Sequence, residues 1–443
     1  MKSKIFITLL TIAFSLGNVH AQNLNKAKLD SLLDILAKNN KAMGSLTVSK
    51  KGTVLYSRAI GYGSISEKEK KAAVTTTKYR IGSISKTFTA TLIFQLIDEG
   101  KIMLTSTLDN YFPQLPNAKL ITISNLLNHR SGLHNFTANP DYMTWMTQPK
   151  TQDEMLKVMT ANKPDFQPNE KFAYSNTNYV ILGYIIEKIA KKPYSKVLNE
   201  KITIKIGLTN TYYGGKINTK NNESSSYKWI NGWQIQPETD MSIPGGAGAV
   251  VSTPTDLTKF MEALFALKLV SQNSLNQMKT LTDGYGMGMF QMPFYTRKGY
   301  GHNGSIDGFK ANVGYFPEDS LSIAYCTNGE VHPLNDILIG VLSISFNRTY
   351  VLPVFSTLTL KTEDLDKYLG VYASTQIPLK ITVTKADATL MAQATGQSSF
   401  PLEATEKDKF SFDQAGIKME FNPSKNEMTL KQGGNNYVFT KEK

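Results

Sequence analysis

A serine and a lysine three positions apart, Ser83 and Lys86, have the types and the spacing of a nucleophile and its base. A serine hydroxyl is a poor nucleophile at neutral pH, so a hydrolase must hold a base within hydrogen-bonding reach of it. On a helix, an i, i+3 pair lies on one face with Cβ atoms about 5 to 6 Å apart. The largely apolar run Phe88–Leu96 predicts a buried helix, and burial lowers the pKa of a lysine towards that of a base. Ser83 then falls at the helix start, where backbone N–H groups can bind an oxyanion.

The four-residue spacing alone is a weak signal, because the chain repeats it at Ser225–Lys228. That second match lies in a polar run with no apolar helix behind it. We therefore interpret Ser225 as a residue without a catalytic role, and the assignment of Ser83 depends on two further elements.

The first of these elements is Tyr174-Ser175-Asn176, the only Tyr-x-Asn among the 21 tyrosines, which is followed by an apolar helix. One interpretation makes Tyr174 an aromatic plug with a hydrated hydroxyl. The other makes it a phenol whose pKa is lowered by a neighbouring lysine charge, with the Asn176 amide beside it to bind a substrate carbonyl.

The second element is the glycine-rich run 301–308, which predicts a turn immediately before a strand that begins at residue 309. Its glycines would let a substrate backbone approach the sheet edge closely, and the Ser305 N–H could be a second oxyanion donor. A single histidine in a turn, here His302, is usually structural or solvated. The neighbouring motifs make a role in the site the better interpretation.

With the Ser83–Lys86 pair, the Tyr174–Asn176 element and the run 301–308 in this order and spacing, the chain resembles the serine β-lactamase and penicillin-binding-protein superfamily, on its class C-like branch. The resemblance covers residues 24–350 and is carried by four phrases, namely Ile81–Ala90, Ile121–Leu133, Tyr174–Asn176 and His302–Gly304. It implies that Ser83 forms an acyl-enzyme and that Lys86 and Tyr174 shuttle the proton. Further implied roles are substrate binding by Asn176, His302, Gly304 and Ser305, with an oxyanion hole made by the N–H groups of Ser83 and Ser305. His129 and Arg130 match a phrase that is mostly scaffold.

One departure from the family pattern affects the expected substrate. Class C β-lactamases carry Lys-Thr-Gly where this chain has His302-Asn303-Gly304, and a His-x-Gly there is similar to DD-peptidases, D-amino-acid peptidases and esterases. A neutral imidazole binds the carboxylate of a β-lactam less well than a lysine does. Efficient β-lactam hydrolysis is therefore not expected.

The elements that position these residues predict an α+β fold, an antiparallel sheet flanked by helices with an inserted helical lobe. Periodicity predicts a helix, two strands and the Ser83 helix, in that order, from the N-terminus. Helices at 151–161 and 177–203 and another starting at Pro254 follow. Strands are then expected near 285–290, 309–316 and 321–327, and a last helix at 332–347.

A second domain is predicted after a linker at 351–362, since residues 363–443 contain about eight short alternating stretches separated by turns. These predict a small β-barrel, and the opening phrase Asp364–Tyr372 resembles the lipocalin-like tails of some family members. Two roles for the barrel stay open, shaping substrate access or adding stability.

The first 21 residues are typical of a secretory signal, with Lys2 and Lys4 ahead of the apolar run Ile5–Leu16 and small residues before a cleavage site after Ala21. A membrane anchor needs roughly 20 continuous apolar residues, and this run is shorter. We expect a soluble periplasmic or secreted product whose catalytic domain spans residues 22–350.

The net charge of +13 invites a nucleic-acid interpretation, but export and the dispersed lysines disfavour it, and attraction to an anionic envelope polymer stays open. The single cysteine, Cys326, lies in an apolar stretch and predicts a buried structural thiol. No metal or cofactor is expected, and no HExxH, P-loop or Gly-x-Ser-x-Gly motif is present. The glycines at 284–288 lack dinucleotide-binding spacing and are interpreted as strand glycines.

Three functional hypotheses follow. The preferred one is an acyl-enzyme hydrolase of D-amino-acid peptides or small esters, with small-molecule substrates, peptides or cell-wall fragments as its partners. The second is a β-lactamase, and the third is a catalytically idle envelope-binding protein.

Overall fold

The computed structural model describes residues 24–230, 232–355, 358, 360–432 and 434–442, so the predicted export signal lies outside the described residues. The helices are α1 (Lys26–Lys38), α2 (Ser85–Asp98), α3 (Ile123–Leu127), α4 (Tyr142–Trp145), α5 (Gln152–Ala161), α6 (Asn176–Ala190), α7 (Tyr194–Leu198), α8 (Ile204–Ile206), α9 (Gly245–Gly248), α10 (Pro254–Phe265), α11 (Gln272–Lys279) and α12 (Leu334–Ser345).

The strands before the barrel are β1 (Ala42–Lys50), β2 (Thr53–Ile60), β3 (Tyr62–Ile65), β4 (Lys70–Ala72), β5 (Tyr79–Arg80), β6 (Tyr212–Tyr213), β7 (Tyr227–Trp229), β8 (Trp233–Ile235), β9 (Val250–Ser252), β10 (Phe290–Phe294), β11 (Arg297–Ile306), β12 (Phe309–Phe316) and β13 (Leu321–Glu330). The barrel strands are β14 (Gly370–Ala373), β15 (Lys380–Ala386), β16 (Thr389–Ala394), β17 (Phe400–Glu406), β18 (Lys409–Phe412), β19 (Ile417–Asn422), β20 (Glu427–Gln432) and β21 (Asn435–Lys441).

The central sheet has six antiparallel strands in the order β10-β11-β12-β13-β1-β2, so segments from both ends of the region before the barrel pair side by side. Helices α1 and α12 pack together against one face of this sheet, and α10 packs on β1, β12 and β13. Because both faces are covered, β13 is buried from Leu321 to Gly329. The expected sheet built from distant segments is confirmed, and Cys326 is a buried free thiol.

The helical lobe lies between these sheet segments and is organised around α2 and α6. Helix α2 is buried from Ser85 to Leu96, as its apolar run predicts. The helix expected over 177–203 is interrupted, because Lys191 ends α6 in a left-handed conformation and Pro193 precedes α7.

Two sequence expectations near the site are wrong. Residues 301–306 do not form a turn, since they belong to β11, and the reversal occurs at Asp307 and Gly308. The strand expected near 285–290 begins only at Phe290. Gly284 and Gly288 both have φ of +81°, which makes them turn glycines and not strand glycines.

The eight C-terminal strands close into an antiparallel barrel, as the sequence predicts. Alternate residues such as Ile381 and Val383 point into its core, and the preceding 3₁₀ turn at Thr362–Tyr368 buries Leu365 there as well. Among the described residues, no helix is long and apolar enough to cross a membrane.

Candidate active site

Ser83 lies in the 3₁₀ turn Gly82–Ile84, which leads directly into α2. The hydroxyl of Ser85 accepts the backbone N–H of Val250 at 3.0 Å and ties the start of α2 to β9. One helical turn then places Lys86 beside the serine, with Nζ 3.0 Å from Ser83 Oγ. The predicted nucleophile and base are therefore in contact. The serine is half-buried and the lysine is fully buried.

The surroundings of Lys86 suit a neutral amine. Besides Ser83, its Nζ contacts the side-chain carbonyl of Asn176 at 2.8 Å and the backbone carbonyl of Ala247 at 2.9 Å. In the described part of the chain, Lys86 has no ion-pair partner. Burial therefore holds the pKa of Lys86 well below its ordinary value.

Ala247 belongs to the glycine-rich turn α9, which none of the sequence motifs assigns to the site. The turn packs so closely on α6 that a Cβ on Gly246 would lie 2.6 Å from the Tyr179 carbonyl oxygen. Thr89 of α2 also donates its hydroxyl to the Gly246 carbonyl at 2.6 Å. This close packing brings the Ala247 carbonyl to the lysine.

Tyr174 lies beside the pair, immediately before α6, with its ring centroid 4.8 Å from Lys86 Nζ. Although 36% of the residue is exposed, burial around the hydroxyl raises its pKa well above the ordinary tyrosine value, and an interaction with Ser83 acts in the opposite direction. The expectation of a pKa lowered by the lysine charge is wrong because burial of the hydroxyl outweighs it. Tyr174 is a protonated phenol at neutral pH.

Asn176 is the first residue of α6, and both ends of its amide have partners. The oxygen accepts from Lys86, and Nδ2 donates to the Thr137 hydroxyl at 3.1 Å. Asn135 holds the backbone by accepting the Asn176 N–H at 3.0 Å. Thr137 and Asn135 were missed by the sequence analysis, since nothing in the spacing of that loop marks them.

His302 lies on β11 and is buried, with 1% exposure. Its Nδ1 donates to the Asn303 carbonyl at 2.5 Å, so Nε2 accepts from the Tyr285 hydroxyl at 3.0 Å. Burial lowers the pKa of His302 to about 3. The imidazole is therefore neutral and occupied by protein partners. Tyr285, which the sequence analysis did not assign to the site, is one of them.

Gly304 and Ser305 bring the backbone of β11 against the serine turn. A Cβ on Gly304 would lie 3.0 Å from Ser83 N and 1.9 Å from the Ile81 carbonyl oxygen, so only glycine fits at this position. On the other side, a Cβ on Gly82 would lie 2.8 Å from Ser305 N. The two backbone nitrogens predicted to bind an oxyanion thus lie on adjoining segments of chain.

His129 is fully buried behind the site, which agrees with its interpretation as scaffold. Its Nδ1 accepts the Ser175 N–H and the Asn178 amide, both at 3.2 Å, and burial lowers its pKa well below the ordinary value. Arg130 holds the loop before Tyr174 through its backbone, because its carbonyl accepts the Asn169 N–H at 2.8 Å. The phrases Ile121–Leu133 and Tyr174–Asn176 are therefore joined in space.

A cavity of about 280 Å³ opens beside Ser83. Its polar lining includes Asn176, Thr239 and Ser305, and Asp307 lines it with a carboxylate already bound by Arg80 at 3.0 Å. Apolar side chains form much of the remaining wall, namely Phe136, Tyr142, Met143, Met146, Pro244 and Ile306. The cavity can hold a small group with an apolar side chain next to the serine. Among the described residues, no cluster of His, Cys, Asp and Glu could hold a metal ion.

Comparison with known proteins agrees with this geometry. The Beta-lactamase family model matches residues 34–339. Penicillin-binding protein 4* of Bacillus subtilis is 26% identical over 90% of this chain and 94% of its own length. Teichoic acid D-alanine hydrolase of Staphylococcus aureus is 27% identical over 67% of this chain and 74% of its own length.

Among solved structures, a D-amino acid amidase from Ochrobactrum anthropi SV3, complexed with D-phenylalanine, is similar with a TM-score of 0.65 at 25% identity. The match covers 72% of this chain and 98% of the amidase. The residues matched by the family model, 34–339, include Ser83, Lys86 and Tyr174.

Proposed function

The chain belongs to the Beta-lactamase family, and on that premise we propose that it is an exported serine hydrolase that acts on D-amino-acid peptides, amides or small esters through an acyl-enzyme on Ser83. The relatives support the substrate class, since their names include a D-amino acid amidase and a D-alanine hydrolase. The N-terminal pattern of residues 1–21 supports export.

The observation that carries the proposal is the set of three contacts around Lys86. A neutral amine has two N–H bonds and one lone pair, and two of the three partners, the Asn176 and Ala247 carbonyls, can only accept. The lone pair is left for the third partner, Ser83, whose hydroxyl can donate. The buried lysine is thus arranged as a base aimed at the nucleophile.

In the acylation step, Ser83 Oγ attacks the substrate carbonyl carbon while its proton passes to Lys86. The backbone N–H groups of Ser83 and Ser305 stabilise the resulting oxyanion. Tyr174 donates its phenolic proton to the departing amine or alcohol as the carbonyl–leaving-group bond breaks, and it recovers a proton from Lys86. The protonated state of Tyr174 supports this role of acid.

In the deacylation step, a water molecule attacks the ester carbonyl and gives one proton to Lys86, which is neutral again once the leaving group has taken its proton. The bond from the carbonyl carbon to Ser83 Oγ breaks, and Lys86 returns the proton to Oγ. The acid product leaves and the enzyme is restored.

The site also supports a preference against β-lactams. A β-lactamase of class C would present a lysine ammonium at the position of His302, whereas this imidazole is neutral and already bonded to Tyr285 and Asn303. Positive charge for the β-lactam carboxylate is therefore missing at this position.

Labelling with a fluorophosphonate tests the proposal, followed by turnover of a panel that contains a D-amino-acid amide, a D-Ala-D-Ala peptide, a p-nitrophenyl ester and a chromogenic cephalosporin. We expect Ser83 to be labelled, and the amide, peptide or ester to be turned over faster than the cephalosporin. Ser83→Ala should lose labelling and turnover, while Ser225→Ala, at the second Ser-x-x-Lys, should keep both. Full activity of the Ser83→Ala variant would refute the proposal.

A further inference from the structure

A second cavity, of about 440 Å³, adjoins the first one. Ser305 and Asp307 line both cavities, so the end of β11 forms the boundary between them. The far wall is made by β7, by the end of β13 and by the residues that lead into α12, and it includes Lys228, Glu330 and Asn335. The residues of this far wall have no part in the proposed chemistry.

The direction of the reaction places the second cavity on the acyl side of the substrate. The first cavity is lined by Ser83, Asn176 and Ser305, and neither Tyr174 nor His302 belongs to its wall. The leaving group takes its proton from Tyr174 in the proposed mechanism, so it departs on the Tyr174 side of Ser83, outside this wall. The group bonded to Ser83 occupies the first cavity, and whatever precedes it in the substrate continues past Ser305 into the second.

The charge that a ligand in the second cavity can reach is positive, because the carboxylates there are held by protein partners. Glu330 is buried and held by Lys310, with Nζ 2.5 Å from Oε1. Asp307 is equally buried and held by Arg80 and by Thr239, whose hydroxyl donates to it at 2.6 Å. Lys228 is exposed and has no ion-pair partner in the described part of the chain.

The strand that carries Lys228 is anchored to both neighbouring segments. Gly308 donates its backbone N–H to the hydroxyl of Ser226 at 3.0 Å, directly beside the reversal of β11. The side-chain amide of Asn328, on β13, donates to the carbonyl of Ser225 at 2.9 Å. The backbone position of Lys228 relative to Ser305 is thereby set by β11 and β13.

We propose that the second cavity is an acyl-side subsite that takes the residue preceding the scissile D-residue, and that it prefers a residue with a carboxylate, which Lys228 attracts. The inference rests on the proposed function and adds the substrate class. The D-residue of the substrate would carry an acidic residue on its amino group and would not be a free D-amino acid. Exposed ion pairs give modest, salt-sensitive selectivity, so a preference of about two- to fivefold is expected.

Two thioester probes that differ only in charge test this subsite, N-acetyl-Glu-D-Ala and N-acetyl-Gln-D-Ala thioesters. The full chain should show a higher kcat/KM for the Glu probe at low salt, and the difference should shrink as salt is raised. Lys228→Gln should abolish the preference and Lys228→Glu should invert it. The control Lys298→Gln, at an exposed lysine of β11 outside both cavities, should keep it.

Different results would overturn the subsite and the proposed function. Equal hydrolysis of the two probes by the wild type, or a preference that persists in Lys228→Gln, would overturn the subsite while leaving the hydrolase intact. If neither probe is hydrolysed and a fluorophosphonate leaves Ser83 unlabelled, the proposed function itself is wrong and the subsite falls with it.

Discussion

The imidazole of His129 packs against the phenol of Tyr174, with ring centroids 4.3 Å apart, and its Nδ1 accepts the N–H of the next residue, Ser175. His129 itself has a left-handed backbone with φ of +59°. One buried side chain thus supports the tyrosine ring and fixes the backbone that carries it. This makes His129 a positioning residue for Tyr174.

Replacing His129 should therefore impair catalysis more than substrate binding. His129→Ala leaves the Ser175 N–H without its partner, and misplacing Tyr174 by an ångström is expected to lower kcat about 100-fold with little change in KM. His129→Asn tolerates the left-handed backbone and keeps an acceptor, so it should recover part of kcat. Equal kcat in the alanine variant and the wild type would contradict this role.

The buried Lys86 is expected to reduce the stability of the fold. An unfolded lysine holds its proton up to a pH of about 10.4, whereas the folded Lys86 has lost it at much lower pH. Unfolding therefore takes up a proton, and stability rises with pH between the depressed folded pKa and the unfolded pKa. Lys86→Met should remove this pH dependence and raise Tm at neutral pH.

The same variant should be inactive, with a loss in kcat of about 10⁴-fold or more, as for other triad-like groups. Thermal melts at several pH values, together with turnover of the best substrate, check both parts. A lower Tm for Lys86→Met at neutral pH would show that the lysine is protonated and stabilising in the folded protein.

The pH profile of kcat/KM should be flat over an unusually wide range. The proposed mechanism needs a neutral Lys86, whose pKa is lowered, and a protonated Tyr174, whose pKa is raised. Activity should therefore be lost only as the pH falls through the lowered pKa of Lys86 or rises through the raised pKa of Tyr174. A descending limb well below a pH of about 10, the ordinary tyrosine pKa, would contradict the raised pKa of Tyr174.

Gly304→Ala should disable the oxyanion hole without unfolding the sheet. The new Cβ would meet the Ile81 carbonyl oxygen at 1.9 Å, which pushes β11 away from the serine turn. The expected loss in kcat is about 10²- to 10³-fold, as for removal of one oxyanion donor. Gly215→Ala, where an added Cβ meets nothing within 4 Å, is the control, and equal losses in both variants would rule out this explanation.

Lys41 should hold the barrel to the catalytic region. Only 6% of its side chain is exposed, and Nζ lies 2.7 Å from Glu403 and 3.4 Å from Asp413, both on the barrel. Lys41→Met leaves two carboxylates without their cation, and Glu403 is 43% exposed. The loss of stability should therefore be less than the about 3 to 5 kcal/mol of a fully buried pair.

Thermal melting and limited proteolysis of the full chain measure this effect, because a less stable barrel should melt at a lower temperature and be cleaved faster. Lys38→Met, at an exposed lysine without an ion pair in the described chain, is the matched control. Unchanged proteolysis and melting of the Lys41 variant would mean that other contacts hold the barrel.

The contact between Ser83 and Lys86 could be predicted from the sequence because it depends on local spacing. One helical turn necessarily brings Lys86 next to Ser83, and the apolar run Phe88–Leu96 had to be buried. The barrel was predictable for a similar reason, since strand alternation and turn residues are local signals. For Tyr174 and Asn176 the sequence supplied only candidates, because their distance from Ser83 depends on the packing of α6 against α2.

The sequence by itself determined which residues could react and which elements carry them. The tertiary structure decided their protonation states and partners, because a pKa depends on burial and on neighbours distant in the chain. The Ala247 carbonyl reaches Lys86 only through the packing of α9, and Tyr285 reaches His302 only once the sheet has formed. Residue type was enough to propose a base and an acid, and only the packed interior determined that the pKa of Lys86 is lowered and that of Tyr174 raised.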